Sequence, residues 1–396
     1  MASLNDWKCA LLCAFGVPTI ERWRRSRRLA ILMFHGVERE PVSPPADWVI
    51  DTATLRRDLE YVRRHFTVLP LEEALERLRD GTLPSRAATV TFDDGTRNLL
   101  TNAAPILREL RVPAAVFLAT GPMGTGELLW PDRLWHAFAE TSEPEIDLSA
   151  VGLGVRSLRS DADRVQTRDA TLQCFKQLPD AKRIAEIEPL VAALGHEPDA
   201  YEGPFPLLSW DQARSLESDG LVTLYPHTVT HPILSRCDDE KVDREISESC
   251  RAVEINTGCA PTIFAYPNGQ PQDFDGRARE ALRRNGISWA LSTTGGFAGP
   301  DSDPYDLPRL GLTIESFSQF KLKVSGFALR PRPFHASDCL KMARRMSTAM
   351  SRSRDQEPSS FGASTVDASP ALQASSSSVV PGAVETRPGS TRAGAS

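Results

Sequence analysis

Seven short runs rich in β-branched and aromatic residues constrain this chain more than any other feature. They are Ala30–Phe34, Thr89–Phe92, Ala114–Ala119, Val222–Tyr225, Ile263–Tyr266, Ser288–Leu291 and Arg309–Ile314. Each is almost continuously apolar and none alternates with polar residues, which is the pattern of strands buried on both faces of a parallel sheet. Stretches of helical spacing separate them. Leu55, Leu59, Val62 and Phe66 form one stripe, and Val242, Ile246, Cys250 and Val253 form another that stops near Gly258. Asp275 is placed to cap a helix carrying Ala278, Ala281 and Leu282, with Gly286 at its end. Strands alternating with helices imply βαβ units with right-handed crossovers. Roughly 320 residues between the two termini suffice for a full barrel, where ~250 is typical. The expected fold is therefore α/β, a parallel (β/α) barrel of about seven strands. The rhythm breaks at about residues 125–205, which read as a mostly helical insertion, with Glu143–Asp147 as an acidic turn.

Both ends of the chain read differently from its middle. Cys9–Ile20 is uncharged and mostly apolar, but far shorter than the ~20 residues of a spanning helix. Glu21-Arg22-Trp23-Arg24-Arg25-Ser26-Arg27-Arg28 follows, and five arginines at that point oppose export. Residues 1–28 are thus read as a basic amphipathic segment of a cytoplasmic protein. It either lies on an anionic membrane surface at the inner face or packs on the domain. The seven cysteines are scattered with no C-x-x-C, as expected of free thiols in a reducing compartment. Residues 347–396 contain 13 serines and one aromatic, Phe361, too little apolar surface to offset ordering, and read as a disordered tail. The net charge of −6 gives no reason to expect nucleic acid as a partner.

Parallel barrels place their chemistry just past the C-terminal ends of strands. Ala30–Phe34 runs into His35-Gly36, and Thr89–Phe92 into Asp93-Asp94-Gly95. Val222–Tyr225 leads through Pro226 to His227-Thr228-Val229-Thr230-His231, and Ile263–Tyr266 into Pro267-Asn268-Gly269. Taken singly, Asp-Asp-Gly is a common turn, and His-x-x-x-His is also the spacing of one helical face. Gathered on one rim, two histidines and a carboxylate compose a three-ligand set with an open position, as in a catalytic zinc or related divalent site. Two adjacent carboxylates in one cavity would repel without a cation; a metal offsets that charge and leaves the second free as a base.

These residues resemble the polysaccharide deacetylases of carbohydrate esterase family four, the NodB-homology enzymes. The resemblance rests on Thr91-Phe92-Asp93-Asp94-Gly95 and His227-Thr228-Val229-Thr230-His231. Ile31-Leu32-Met33-Phe34-His35, Phe264-Ala265-Tyr266-Pro267-Asn268-Gly269 and Leu307-Pro308-Arg309 add to it. It covers about residues 29–314 outside the insertion, within a catalytic domain placed at 29–330. It implies that the barrel is the distorted one of the NodB-homology fold, in which Asp94, His227 and His231 hold a divalent metal, zinc first. Asp93 would be the base, and the peptide N–H near Asn268, flanked by Pro267 and Tyr266, would bind oxyanion or substrate. The family's usual Leu-x-His motif near the C-terminus is absent; Leu32-Met33-Phe34-His35 supplies an equivalent, as in circularly permuted members, and assigns His35 as acid. Many members carry Arg where this chain has Ala265, and an aromatic is frequent at the Asn268 position. Arg309 is expected to pair with Asp93 in place of the missing Arg, since a guanidinium suits a two-pronged carboxylate contact.

The implied activity is removal of N-acetyl groups from a glycan, a polysaccharide or exopolysaccharide intermediate. Hydrolysis of a small non-carbohydrate amide on the same site, or a non-catalytic glycan-binding role, are the alternatives. Trp130-Pro131-Asp132 and Trp135 read either as a sugar-stacking lid or as core, and Trp210 as packing. His65, His136, His196 and His335 sit near no motif and read as surface residues.

Overall fold

A computed structural model describes residues 4–195 and 203–327. The tail at 347–396, and with it His196, His335 and Cys339, lies outside the described residues. Two helices, α1 (Leu4–Ala14) and α2 (Val17–Arg24), precede β1 (Ala30–Phe34). The short strands β2 (Gly36–Glu38) and β3 (Val49–Asp51) pair with each other in parallel. Then come α3 (Thr52–His65), β4 (Thr67–Val68), α4 (Leu71–Arg79), β5 (Ala87–Phe92), α5 (Ala104–Leu110) and β6 (Ala114–Leu118). After the insertion follow α9 (Trp210–Glu217), β9 (Val222–Pro226), α10 (Asp239–Thr257), β10 (Ile263–Ala265), α11 (Gly276–Arg284), β11 (Trp289–Leu291), β12 (Leu310–Gly311) and α12 (Phe317–Val324).

The main sheet runs β12-β1-β5-β6-β9, all parallel, with β4 on the first two residues of β5 before β6 begins at Val90. β10 and β11 form a separate parallel pair, tied onward by a parallel bridge from Leu291 to Leu307. Among the described residues β9 and β10 share no ladder, so the ring of strands is a distorted barrel. Each of the seven expected runs contains a strand. The last is much shorter than expected, Leu310–Gly311 in place of Arg309–Ile314, because Ile314 is exposed and the run leaves the core.

The unbroken apolar runs have a simple cause. Ile31, Phe117, Tyr225, Ile263 and Leu291 pack inside the barrel with Leu307, while Leu32, Val90, Val116 and Leu224 pack outward with residues of α3, α5 and α9. With both faces covered, both parities are mostly apolar; the polar exceptions in β5, Thr89 and Thr91, are themselves buried, Thr91 with its hydroxyl bonded to the Leu32 carbonyl. Full burial of one such side chain is worth about 1.5–3 kcal/mol.

The insertion contains α6 (Trp130–Glu140), the strands β7 (Glu145–Asp147) and β8 (Val155–Ser157), α7 (Asp161–Phe175) and α8 (Asp180–Ala193). Its own cluster includes Trp130, Leu134, Phe138, Phe175 and Val191. β7 and β8 form an antiparallel hairpin where an acidic turn was expected, and of its six strand residues only Ile146 is buried. Trp130 and Trp135 are core residues. His136, expected at the surface, is buried edge-on against Trp135 and Phe205.

Candidate metal and hydrolytic centre

The strand ends converge on one cavity lined by His35, Asp93, Asp94, His227, His231 and Asn268 from the barrel. Trp48 and, from the insertion, Leu129, Pro131, Asp132, Leu172 and Lys176 complete its wall. The backbone is bent to achieve this. Four of the six described non-glycine residues with positive φ are Asp94 (72°), Thr228 (68°), His231 (55°) and Asn268 (59°). Such conformations persist only where surrounding structure holds them, and they cluster at functional sites. Gly95, just after Asp94, has φ 79°, a conformation strained for any side chain, and a Cβ there would also press on Leu118 Cδ2 at 2.6 Å, so this turn favours glycine.

Asp94 Oδ1 lies 3.6 Å from His227 Nε2 and 3.3 Å from His231 Nε2, and all three residues are buried. His227 Nδ1 makes a 2.7 Å hydrogen bond with the carbonyl of Ala265. As that bond's donor, Nδ1 carries the ring proton and Nε2 keeps its lone pair for the cavity. Asp94 Oδ1 is buried and has no aligned hydrogen-bond partner. Ligands ~2.0–2.2 Å from one ion at tetrahedral angles stand ~3.4 Å apart, so these three donors fit a divalent cation. Burial acts against the charge on Asp94, but His231, His35 and His227 outweigh it and hold the carboxyl well below the ordinary range. Burial also pushes His227 down to about 4, so its imidazole is the neutral form that ligation needs.

Asp93 lines the same cavity but has a different partner. Both its oxygens accept from Arg309, Nη1 to Oδ1 and Nη2 to Oδ2, each at 2.7 Å. Arg309 is wholly buried, donates from Nε to the Ser292 carbonyl at 3.1 Å, and lies over the Phe117 ring. Burial would raise the Asp93 pKa, but Arg309, together with His227 and His35, outweighs it and lowers the value. The pairing expected of Arg309 is therefore present. His35 Nδ1 is buried without a hydrogen-bond partner, on the same cavity as Asp93.

Of the stretch Tyr266-Pro267-Asn268, only Asn268 reaches the cavity. Tyr266 is a correction to the expected substrate set: its ring stacks on Phe274 at 3.9 Å and its hydroxyl donates to the Tyr305 carbonyl. Its N–H donates to Leu291, and Pro267 is buried away from the cavity and has no N–H to offer. A tight turn, Gly269 N–H to Pro267 carbonyl, presents Asn268, whose Nδ2 is buried and unpartnered.

The two histidines do not lie on a helix. The loop between them is held by Glu245 of α10, whose Oε2 accepts the N–H groups of Val229 and Thr230 at 2.8 Å each. Oε1 accepts the Thr230 hydroxyl at 2.5 Å. Glu245 escaped the sequence reading, yet a signal exists: a charged residue on the buried stripe of Val242, Ile246 and Cys250. From the insertion, Trp130 Nε1 donates to the His231 carbonyl at 3.1 Å, so Trp130 buttresses the ligand loop instead of forming a lid.

The insertion wall brings a third carboxyl that no motif announced. Asp132 is buried, and burial together with the charge of Asp94 pushes its pKa well above the ordinary value, despite a hydrogen bond from Trp48. Burial likewise lowers Lys176.

The family profile described as polysaccharide deacetylase matches residues 80–153 and 163–290. A poly-beta-1,6-N-acetyl-D-glucosamine N-deacetylase of Staphylococcus aureus is 28% identical over 79 residues, 20% of this chain and 27% of the relative. The aligned part thus spans about a quarter of that relative's length. Among solved structures, the Streptococcus pyogenes deacetylase PplD in complex with acetate aligns at 16% identity and a TM-score of 0.49. That alignment covers 75% of this chain and 98% of the other. IcaB from Ammonifex degensii aligns at 17% identity and a TM-score of 0.48, covering 76% and 98%. The profile spans β5, β6, β9 and β10 together with the Asp-Asp and His-x-x-x-His segments, more than half of the residues. The chain therefore belongs to the polysaccharide deacetylase family.

Proposed function

We propose that this protein is a metal-dependent hydrolase that removes N-acetyl groups from a glycan of the poly-N-acetylglucosamine type, releasing acetate and a free amine. The observation that carries the reading is the joint placement of Asp94, His227 and His231 beside the Arg309-held Asp93 on one cavity. The curated Staphylococcus aureus relative is named for the same reaction on poly-beta-1,6-N-acetyl-D-glucosamine. Asp94, His227 and His231 would hold the ion, zinc first by its taste for nitrogen and oxygen ligands in a three-ligand open site. A divalent ion there supplies Lewis acidity at the acetyl carbonyl and a water of lowered pKa.

The chain's own groups divide the remaining work. Asp93 accepts the proton from the attacking water, and Arg309 fixes its orientation without blocking the cavity. His35 donates a proton to the leaving nitrogen, so that the sugar departs as an amine. Asn268 offers polar hydrogens where negative charge develops on the carbonyl oxygen. Water adds to the amide carbon, the C–N bond breaks, and the two products account for every atom.

The test is acetate release, with chitooligosaccharides and β-1,6-linked N-acetylglucosamine oligomers as substrates and small cyclic amides as the competing class. Loss of acetyl mass from the oligomers, abolished by Asp93→Asn, is the expected result. Turnover of cyclic amides alone would replace the glycan reading. Binding of oligomers without turnover by the metal-loaded protein would make it a non-catalytic relative.

A further inference from the structure

The described residues expose nine large apolar side chains, and five of them crowd into α1, α2 and the turn between them: Trp7, Leu11, Phe15, Ile20 and Trp23. The three aromatics are 67%, 74% and 76% exposed, respectively. This is not the loose end of a poorly packed segment. α1 turns Cys9 inward, and Cys13 Sγ lies 3.5 Å from the Ser318 carbonyl of α12. α2 buries Pro18 and Arg22, with Arg22 bonded to the Tyr61 hydroxyl of α3. The helices are therefore docked on the barrel by one stripe while the other carries the aromatics. Trp7 and Leu11 stand four residues apart on α1, and Ile20 and Trp23 stand three apart on α2.

Charge accompanies the apolar stripe. Residues 1–28 contain six Lys or Arg against two Asp or Glu, in a chain whose net charge is −6. Lys8, Arg24, Arg27 and Arg28 are exposed, and the carboxylates nearest to Arg24 and Arg28, Glu21 at 3.6 Å and Asp301 at 3.7 Å, make only long surface pairs that water screens. A positive cap on a negative protein is attracted to a negative surface and orients the molecule on it. Apolar rings with basic groups around them are the make-up of a surface that lies in a bilayer interface, where aromatic rings sit at headgroup depth. Among the described residues no helix is long and apolar enough to cross a membrane.

We propose that the α1–α2 face docks this protein onto an anionic phospholipid surface, with Trp7, Phe15 and Trp23 inserted at headgroup level and Arg24, Arg27 and Arg28 against lipid phosphates. The docking is independent of the hydrolytic reading, since none of these residues lines the cavity.

The test is co-flotation of the full chain with vesicles of phosphatidylcholine alone or mixed in equal parts with phosphatidylglycerol. Binding is expected to the mixed vesicles, weakened by salt as surface charge is screened. Exchanging Arg24 and Arg27 for Glu should weaken it roughly tenfold or more. Trp7→Ser combined with Phe15→Ser and Trp23→Ser should abolish it, while the melting temperature and acetate release from soluble oligomers stay at wild-type values. Equal binding to both vesicle types, no binding to either, or undiminished binding by the triple variant would overturn the proposal. So would a dimer in light scattering that the triple variant breaks, which would assign the face to a second copy of the chain.

Discussion

On the barrel rim, Asp93 and Asp94 are held below the ordinary carboxylate range, whereas on the insertion wall Asp132 is pushed well above it. All three carboxyls are buried, so burial alone cannot separate them. Partners do. Asp93 has a guanidinium on both oxygens and Asp94 has three imidazoles nearby, while Asp132 meets a Trp48 donor and the repelling charge of Asp94. Lys176 on the same wall is also shifted towards its neutral form. The two rim carboxyls are thus shifted towards their charged form and the two wall groups towards their neutral form, a division that would suit a cation at the rim and an uncharged sugar beside the wall.

The largest effect should come from breaking the rim at its three donors. Asp94→Ala or His231→Ala should lower bound metal to background and reduce acetate release by about a thousandfold or more, because Lewis acidity and activated water are lost together. Metal analysis alongside turnover checks this. His35→Ala should bind metal as wild type yet lose ~10²–10⁴ of turnover, as expected of a lost general acid. Near-normal turnover by that variant would remove His35 from the mechanism and end the permuted assignment.

Arg309→Met tests whether partners or burial govern Asp93. Removing one member of a buried pair leaves an uncompensated charge and typically costs about 3–5 kcal/mol. Turnover should fall, and the acid limb of the pH–rate profile should move to higher pH, because the Asp93 pKa rises once its cation is gone. Metal content should not change. Arg309→Lys should recover part of the stability but not the two-pronged orientation. An unmoved acid limb in a folded Arg309→Met protein would mean that Asp93 is poised by something else.

His227 gives a pH signature of the metal-free rim. Its folded pKa, about 4, lies below the ~6.5 of an unfolded histidine. Below pH ~6.5 the unfolded chain binds a proton that the folded state refuses. Stability is therefore complete above that pH and is lost as pH falls towards 4, by on the order of 3 kcal/mol in all. Urea unfolding of metal-free protein at pH 7 and pH 5 measures the slope, and His227→Gln should flatten it. An equally steep slope in that variant would place the acid sensitivity elsewhere.

The rim was legible in the sequence and the wall was not, for a physical reason. Each rim group sits directly after an apolar run, so strand and chemistry are read together: Phe92 then Asp93, Pro226 then His227. Arg309 could be proposed because it follows Leu307-Pro308 at the start of an apolar run. Asp132 faces the cavity only because α6 folds back beside Trp48, a contact 84 residues away in sequence that no local pattern encodes. Glu245 was hidden likewise, although a carboxylate on the buried stripe of α10 is a conflict that needs a partner. The hairpin of β7 and β8 was not legible, since Glu145, Asp147 and all of β8 are exposed and one buried residue, Ile146, is too little to establish a period of two.

The smallest expected effect sharpens the wall. If Asp132 works as a neutral carboxyl, Asn is close to it in shape and charge, and Asp132→Asn should leave metal affinity unchanged. A carboxyl whose folded pKa is raised contributes stability below its unfolded pKa and loses it as pH rises through the folded value. Near neutral pH the wild-type chain is therefore the strained one. The metal-free Asn variant should melt higher, by ~2–4 °C for each ~1 kcal/mol relieved, and its advantage should vanish in acid. Turnover at saturation should stay within about twofold while KM moves by a few-fold, since a contact made equally to substrate and transition state affects binding alone. Were Asp132 ionised in the working protein, its removal would instead take a negative charge from beside the dication. Metal affinity would then fall and the melting advantage would be absent, so isothermal titration with zinc and a pair of melts, one near neutral pH and one in acid, decides between the two states.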